Sequence, residues 1–187
     1  MTTNPDDRVR SRGSATGSGT PLADLDLRRV PYGQPDALRL IEEVQAEYVL
    51  RYGGRDDTPL EHAMFEPPAG SFFVGYVDGE AAATGAWRRT HVPVFGATAV
   101  AEIKRMYVVP HLRGAGLARR MLAHLESTAV ESGIDALVLE TGLRQPEAMA
   151  LYETSGYVPV PGFGYYRDMP LSRCYGKPLT DLSLVDT

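Results

Sequence analysis

The sequence has little with which to staple or metallate itself. Cys174 is the single cysteine among 187 residues, so no disulfide can close within the chain, and a reducing, cytoplasmic setting is the expectation. The four histidines (His62, His91, His111 and His124) show no H-x-H or H-x-x-x-H spacing, so no metal site is expected. Positive charge is not in excess: 19 Lys and Arg stand against 24 Asp and Glu, for a net charge of -5 and a pI of about 5.4. General nucleic-acid binding wants a basic surface, so nucleic acid is set aside as a partner. No apolar run approaches the roughly 20 residues that span a bilayer. The N-terminus also lacks the apolar core of a signal peptide, so no membrane is expected either. Residues 1–20 are polar and rich in Gly, Ser and Thr; without core-forming side chains they read as a disordered tail.

What is present, over residues 21–187, fits one domain with a sizeable core. Alternation over Leu22 to Val30 predicts a half-buried strand. Pro35 then opens a helix whose apolar positions Ala37, Leu40, Ile41, Val44, Tyr48 and Tyr52 recur at helical spacing, ended by Gly53-Gly54. Thr58 to Glu61 is a candidate short helix, closed by Pro67-Pro68. Strands are predicted over 71–77 and 81–91 around an Asp78-Gly79 hairpin turn, and over 98–109. A helix over 114–132 places Leu117, Met121, Leu122, Leu125 and Ala129 on one stripe, with Gly133 as its cap. A short buried strand (136–139) follows by a helix crossover and so runs parallel to the strand before it. A helix over 146–155, a strand over 157–160, an aromatic, glycine-rich loop over 162–166 and a last strand over 171–177 complete the chain.

The chain is organised around residues 101–122, AEIKRMYVVPHLRGAGLARRML. An apolar strand stops at Pro110, and a turn holding Gly114 and Gly116 opens into a helix. The first amides of that helix have no partner within it and the dipole makes its start positive, so the stretch is a candidate anion site. Arg113, Arg119 and Arg120 add mobile positive charge around it. It is not a Walker loop, which needs Gly-Lys-Ser/Thr after the turn, nor a G-x-G-x-x-G fingerprint, whose third glycine would fall on Arg119.

Arg113-Gly-Ala-Gly-Leu-Ala118 after Met106-Tyr-Val-Val-Pro110 resembles the acyl-CoA-binding motif of the GNAT (GCN-related) N-acetyltransferase superfamily. The segment Gln145 to Tyr157 is similar to that family's N-x-x-A-x-x-x-Tyr-x-x-x-Gly-Phe/Tyr signature, with Gln145 where Asn is commoner. The resemblance covers roughly residues 22–179 and is strongest over 101–157. It implies an α/β (α+β) fold: a mixed, mainly antiparallel twisted sheet flanked by helices on both faces. It implies transfer of an acetyl group from acetyl-CoA, as co-substrate, to a small-molecule or peptide amine by direct attack. Under it, Met106, Tyr107 and Val108 meet the pantetheine arm through their backbone. Arg113, Gly114, Ala115, Gly116, Leu117, Ala118 and Arg119 surround the pyrophosphate, and Gln145 adds a further cofactor contact.

Two catalytic roles follow from the resemblance. Tyr152 protonates the departing thiolate. Glu102, or water held by it, removes a proton from the ammonium, which near pKa 10 is almost wholly charged at neutral pH. Each has a structural alternative: Tyr152 as a core-facing aromatic, Glu102 as an ordinary partner of Lys104 or Arg105. Glu140, at the end of the next strand, is a rival base. Strict alternation puts Glu102, Lys104, Met106 and Val108 on one face of their strand, and Ile103, Arg105 and Tyr107 on the other. Other functions remain open: a non-catalytic acyl-CoA sensor or interaction module, or a nucleotide-binding α/β protein. Many relatives of the resembled family are homodimers. The sequence does not name the acceptor.

Overall fold

The computed structural model describes residues 24–180. The reading of residues 1–20 as a disordered tail lies outside them. The elements are β1 (Asp26–Arg29), α1 (Pro35–Tyr52), β2 (Gly70–Val77), β3 (Glu80–Thr90), β4 (Val100–Val108), α2 (Leu117–Glu131), β5 (Ala136–Gly142), α3 (Pro146–Glu153), β6 (Val158–Pro159) and β7 (Ser172–Pro178). Two short 3-10 turns, His62–Phe65 and Pro110–Leu112, lie between them. The seven strands form one sheet in the order β1-β2-β3-β4-β5-β7-β6. Every pairing is antiparallel except β4 with β5. The expected mixed, mainly antiparallel architecture is therefore the one found.

Local chemistry explains the helix ends. The Gln34 side chain accepts from the Ala37 amide (2.9 Å) at the start of α1, Pro35 fills the first turn, and Gly53 in a left-handed conformation ends it. The buried stripe Ala37, Leu40, Ile41 and Val44 packs α1 on one sheet face. The stripe Leu117, Met121, Leu122, Leu125 and Ala129 packs α2 on the other, where Trp87 donates to Thr128 (3.1 Å). Several boundaries differ from the sequence reading, among them three at turns and caps. The helix expected from residue 114 begins at Leu117, because Gly114 and Gly116 hold left-handed turns (φ 80° and 78°). The short helix expected at Thr58 forms instead at His62, since the Asp56 carboxylate takes both the amide and the hydroxyl of Thr58 (3.0 and 2.6 Å). The strand expected over 157–160 narrows to Val158–Pro159.

One departure matters for function. At Arg105 the backbone turns left-handed (φ 56°) in a bulge, so that the register passes from Thr84 opposite Tyr107 to Ala86 opposite Lys104. Strict alternation therefore fails there. Arg105 reaches Asp56 in the loop after α1, with Lys104 close enough to act on the same carboxylate, and Tyr107 reaches Glu43 on α1, whereas Met106 lies near Gly85 on the α2 side. The bulge places two adjacent cations on one face, which a plain strand does not do.

Candidate active site

β4 and β5 pair only from Val100 opposite Ala136 to Ile103 opposite Leu139. Beyond that point β4 runs on to Val108 and β5 to Gly142 without touching, so the sheet opens into a wedge. A cavity of about 980 Å³ occupies it, at the upper end of the range usual for ligand pockets.

One wall is β4 and the start of α2. Met106, Tyr107 and Val108 line the cavity, followed by Gly114, Gly116, Leu117 and Ala118. The α2 start has no side-chain cap: Gly116 is the N-cap, and the first helical bond is Arg120 N–H to the Gly116 carbonyl (3.1 Å). The amides of Leu117, Ala118 and Arg119 thus have no partner within the helix. A Cβ at Gly114 would meet nothing within 4 Å, so this turn borders open space. Ala115 does not line the cavity and packs against the core.

The two arginines of the motif are committed to the protein. Arg113 donates through Nε to the Val108 carbonyl (2.9 Å) and through Nη2 to Glu47 (2.5 Å), with its guanidinium over the Tyr107 ring. It ties the end of β4 to α1. Arg119 donates to Ser155 Oγ (3.1 Å) and Thr154 Oγ1 (2.8 Å) beyond α3. Both line the cavity, but as struts rather than free cations. Gln145 precedes α3 and lines the cavity, its side-chain oxygen accepting from Tyr52 at 3.4 Å.

Tyr152, on α3, also lines the wedge. Its ring packs against Tyr157 and Tyr175 (centroids 5.7 and 6.5 Å), and it is buried yet lines the cavity. Burial pushes its phenol well above the ordinary value, with the neighbouring Tyr48 acting in the same sense. It belongs to the core and to the cavity at once.

The two carboxylates considered as bases are placed differently. Glu102 is 4% exposed, is not among the cavity's lining residues, and is held by Lys104 (2.7 Å) and by Arg88 (2.8 Å). Glu140 lines the cavity and accepts from Ser172 Oγ at 2.5 Å. Desolvation raises its pKa, against the Ser172 hydrogen bond and the Lys104 charge. Opposite it, the loop after α1 brings in Asp56, paired with Arg105 (2.5 Å). The Gly162–Tyr166 loop reaches the same loop: the Asp57 amide donates to the Tyr166 phenol oxygen at 2.8 Å. Asp56 and the Arg105 bulge are site features the sequence reading missed. No local signal marks a bulge at a non-glycine residue, and Asp56 is distant in sequence from its partner. Among the described residues no cluster of His, Cys, Asp and Glu suits a metal ion, and no helix is long and apolar enough to cross a membrane.

Known proteins resemble this chain in sequence and fold. The model of the acetyltransferase (GNAT) family matches residues 38–157. The chain is 32% identical over 146 residues, 78% of its length and 92% of the relative's, to an IAA acetyltransferase of Azospirillum brasilense. It is 31% identical over 129 residues, 66% of its length and 75% of the relative's, to the uncharacterized N-acetyltransferase YjgM of Escherichia coli K12. A crystal structure from Klebsiella pneumoniae, provisionally assigned as an acyl-CoA N-acyltransferase, superposes with a TM-score of 0.67 at 29% identity, covering 83% of this chain and 98% of the other.

Proposed function

The chain belongs to the acetyltransferase (GNAT) family, and from that premise we propose that it transfers an acetyl group from acetyl-CoA to the amine of a small acceptor by direct attack. Enzymes of this family are acyltransferases that use acetyl-CoA. The residues present suit that co-substrate. The uncapped start of α2 offers free amides and a positive dipole end to a pyrophosphate. The unpaired edge of β4 at Met106 to Val108 offers backbone groups to an extended, amide-bearing arm. Acetyl-CoA supplies an activated acyl thioester.

The observation that carries the reading is the wedge itself: one cavity joins the α2 start, the free β4 edge, Tyr152 and Glu140. Tyr152, held protonated by burial, donates the proton that a leaving thiolate needs. Glu140 removes the proton from the incoming ammonium. Glu102, the base first considered, is set apart by its two cations and by lying outside the cavity lining; its part is to hold Lys104 and Arg88. A backbone amide of β4 polarises the acyl oxygen, an oxyanion donor fixed before reaction.

The test is release of free thiol from acetyl-CoA with a panel of amines. Turnover with at least one amine is expected. Tight binding of acetyl-CoA with no turnover on any of them would instead support an acyl-CoA sensor.

A further inference from the structure

The acceptor end of the cavity holds a buried cation, Arg105, that acetyl transfer to a simple amine would not use. Arg105 is fixed there by the β4 bulge, its carbonyl accepting from Thr84 Oγ1 (2.8 Å) and its side chain only 4% exposed. A guanidinium has five N–H donors. Nη1 serves Asp56 at 2.5 Å, Nε is buried with no acceptor, and no hydrogen bond to Nη2 is present among the described residues. The unsatisfied Nε–Nη2 edge is the planar fork that matches a carboxylate. A buried donor without a partner costs stability comparable to a lost hydrogen bond, and a ligand anion would recover it.

Charge balance points the same way. Three cations, Arg55, Lys104 and Arg105, line this end of the cavity beside three carboxylates, Asp56, Asp57 and Glu140. An acceptor entering as an ammonium alone would add one uncompensated charge to a buried site, which is costly. An acceptor bearing both an ammonium and a carboxylate adds none. Tyr48, Tyr166, Met169 and Leu171 line the rest of this end with largely apolar surface.

We propose that Arg105 receives a carboxylate of the acceptor, and that the acceptor is an amino acid or a close analogue with an apolar side chain. The position of its amine at Glu140 rests on the acyl-transfer reading; the carboxylate subsite does not.

Calorimetric titration of the full chain with 3-phenylpropanoate and with 3-phenylpropanamide, with and without coenzyme A, reads the subsite without turnover. The carboxylate is expected to bind about ten-fold or more tightly than the amide. Arg105→Lys keeps a cation for Asp56 but removes the fork, and is expected to erase most of that preference. Arg105→Met should do the same; if it does not fold, Arg105→Lys decides alone. No binding of the carboxylate, equal affinity for the two compounds, or a preference that survives both variants would overturn the subsite. Thiol release with phenylalanine, phenylalaninamide and phenethylamine separates the two readings. Phenylalanine is expected to be used best, and phenethylamine used equally well would overturn the acceptor class. No turnover with any of the three, beside a carboxylate preference in calorimetry, would count against acyl transfer and leave the subsite standing.

Discussion

A phenol buried as Tyr152 is stays neutral throughout the physiological range, because desolvation disfavours the phenolate. That state suits a proton donor and not a base. Tyr152→Phe keeps the ring that packs against Tyr157 and Tyr175 and removes only the proton. Turnover is expected to fall about 100-fold or more with acetyl-CoA affinity nearly unchanged; unaltered steady-state kcat would remove Tyr152 from the chemistry. Glu140 works in the opposite sense. Burial raises its pKa from the ordinary glutamate value, and a base must be deprotonated. The rate therefore falls as pH falls through that raised pKa, and the acid limb of the kcat/KM profile should lie above the ordinary glutamate range. Glu140→Gln is expected to lower the rate and flatten that limb. An unchanged limb in the variant would assign it to another group.

Two elements start on a glycine, for different reasons. β2 begins at Gly70, where a Cβ would sit against the carbonyl oxygens of Met64 and Trp87. Neither is the end of a flexible side chain, so strand β3 and the 3-10 turn before β2 would have to part. Gly70→Ala is expected to destabilise by about 1–3 kcal/mol or more, measured as a lower midpoint in urea at unchanged slope. In α2 the glycine leaves the helix start open. Gly116 adopts φ 78° at the helix start with no side chain over the free amides. Gly116→Glu introduces both strain and a like charge there, and is expected to abolish coenzyme A binding.

At the scale of the molecule, ligand binding and folding are coupled, since the wedge exists only in the folded sheet. A ligand at 100 times its Kd adds about 2.7 kcal/mol of stability. For a domain of this size that corresponds to a rise in Tm of roughly 5–10 °C. Scanning with and without acetyl-CoA should show this rise in the wild-type chain and lose it in Gly116→Glu; an equal rise in both would move the pyrophosphate away from α2.

The sequence by itself determined most of the elements and the two stretches that wall the wedge. Apolar periodicity placed α1, α2 and the buried strands, and the Gly114–Ala118 and Gln145–Tyr157 segments marked the two walls, because each is local: a turn, a cap or a stripe is written within a few consecutive residues. The expectation of mobile charge at Arg113 and Arg119 did not survive, since their partners Glu47, Thr154 and Ser155 lie 35 or more positions away. The bulge at Arg105 likewise broke an alternation that sequence alone makes regular. Only the tertiary structure decided between Glu102 and Glu140 as the residue facing the cavity. The choice depends on where β4 and β5 stop pairing and on which cations then close over each carboxylate, and neither is a property of any single stretch of chain.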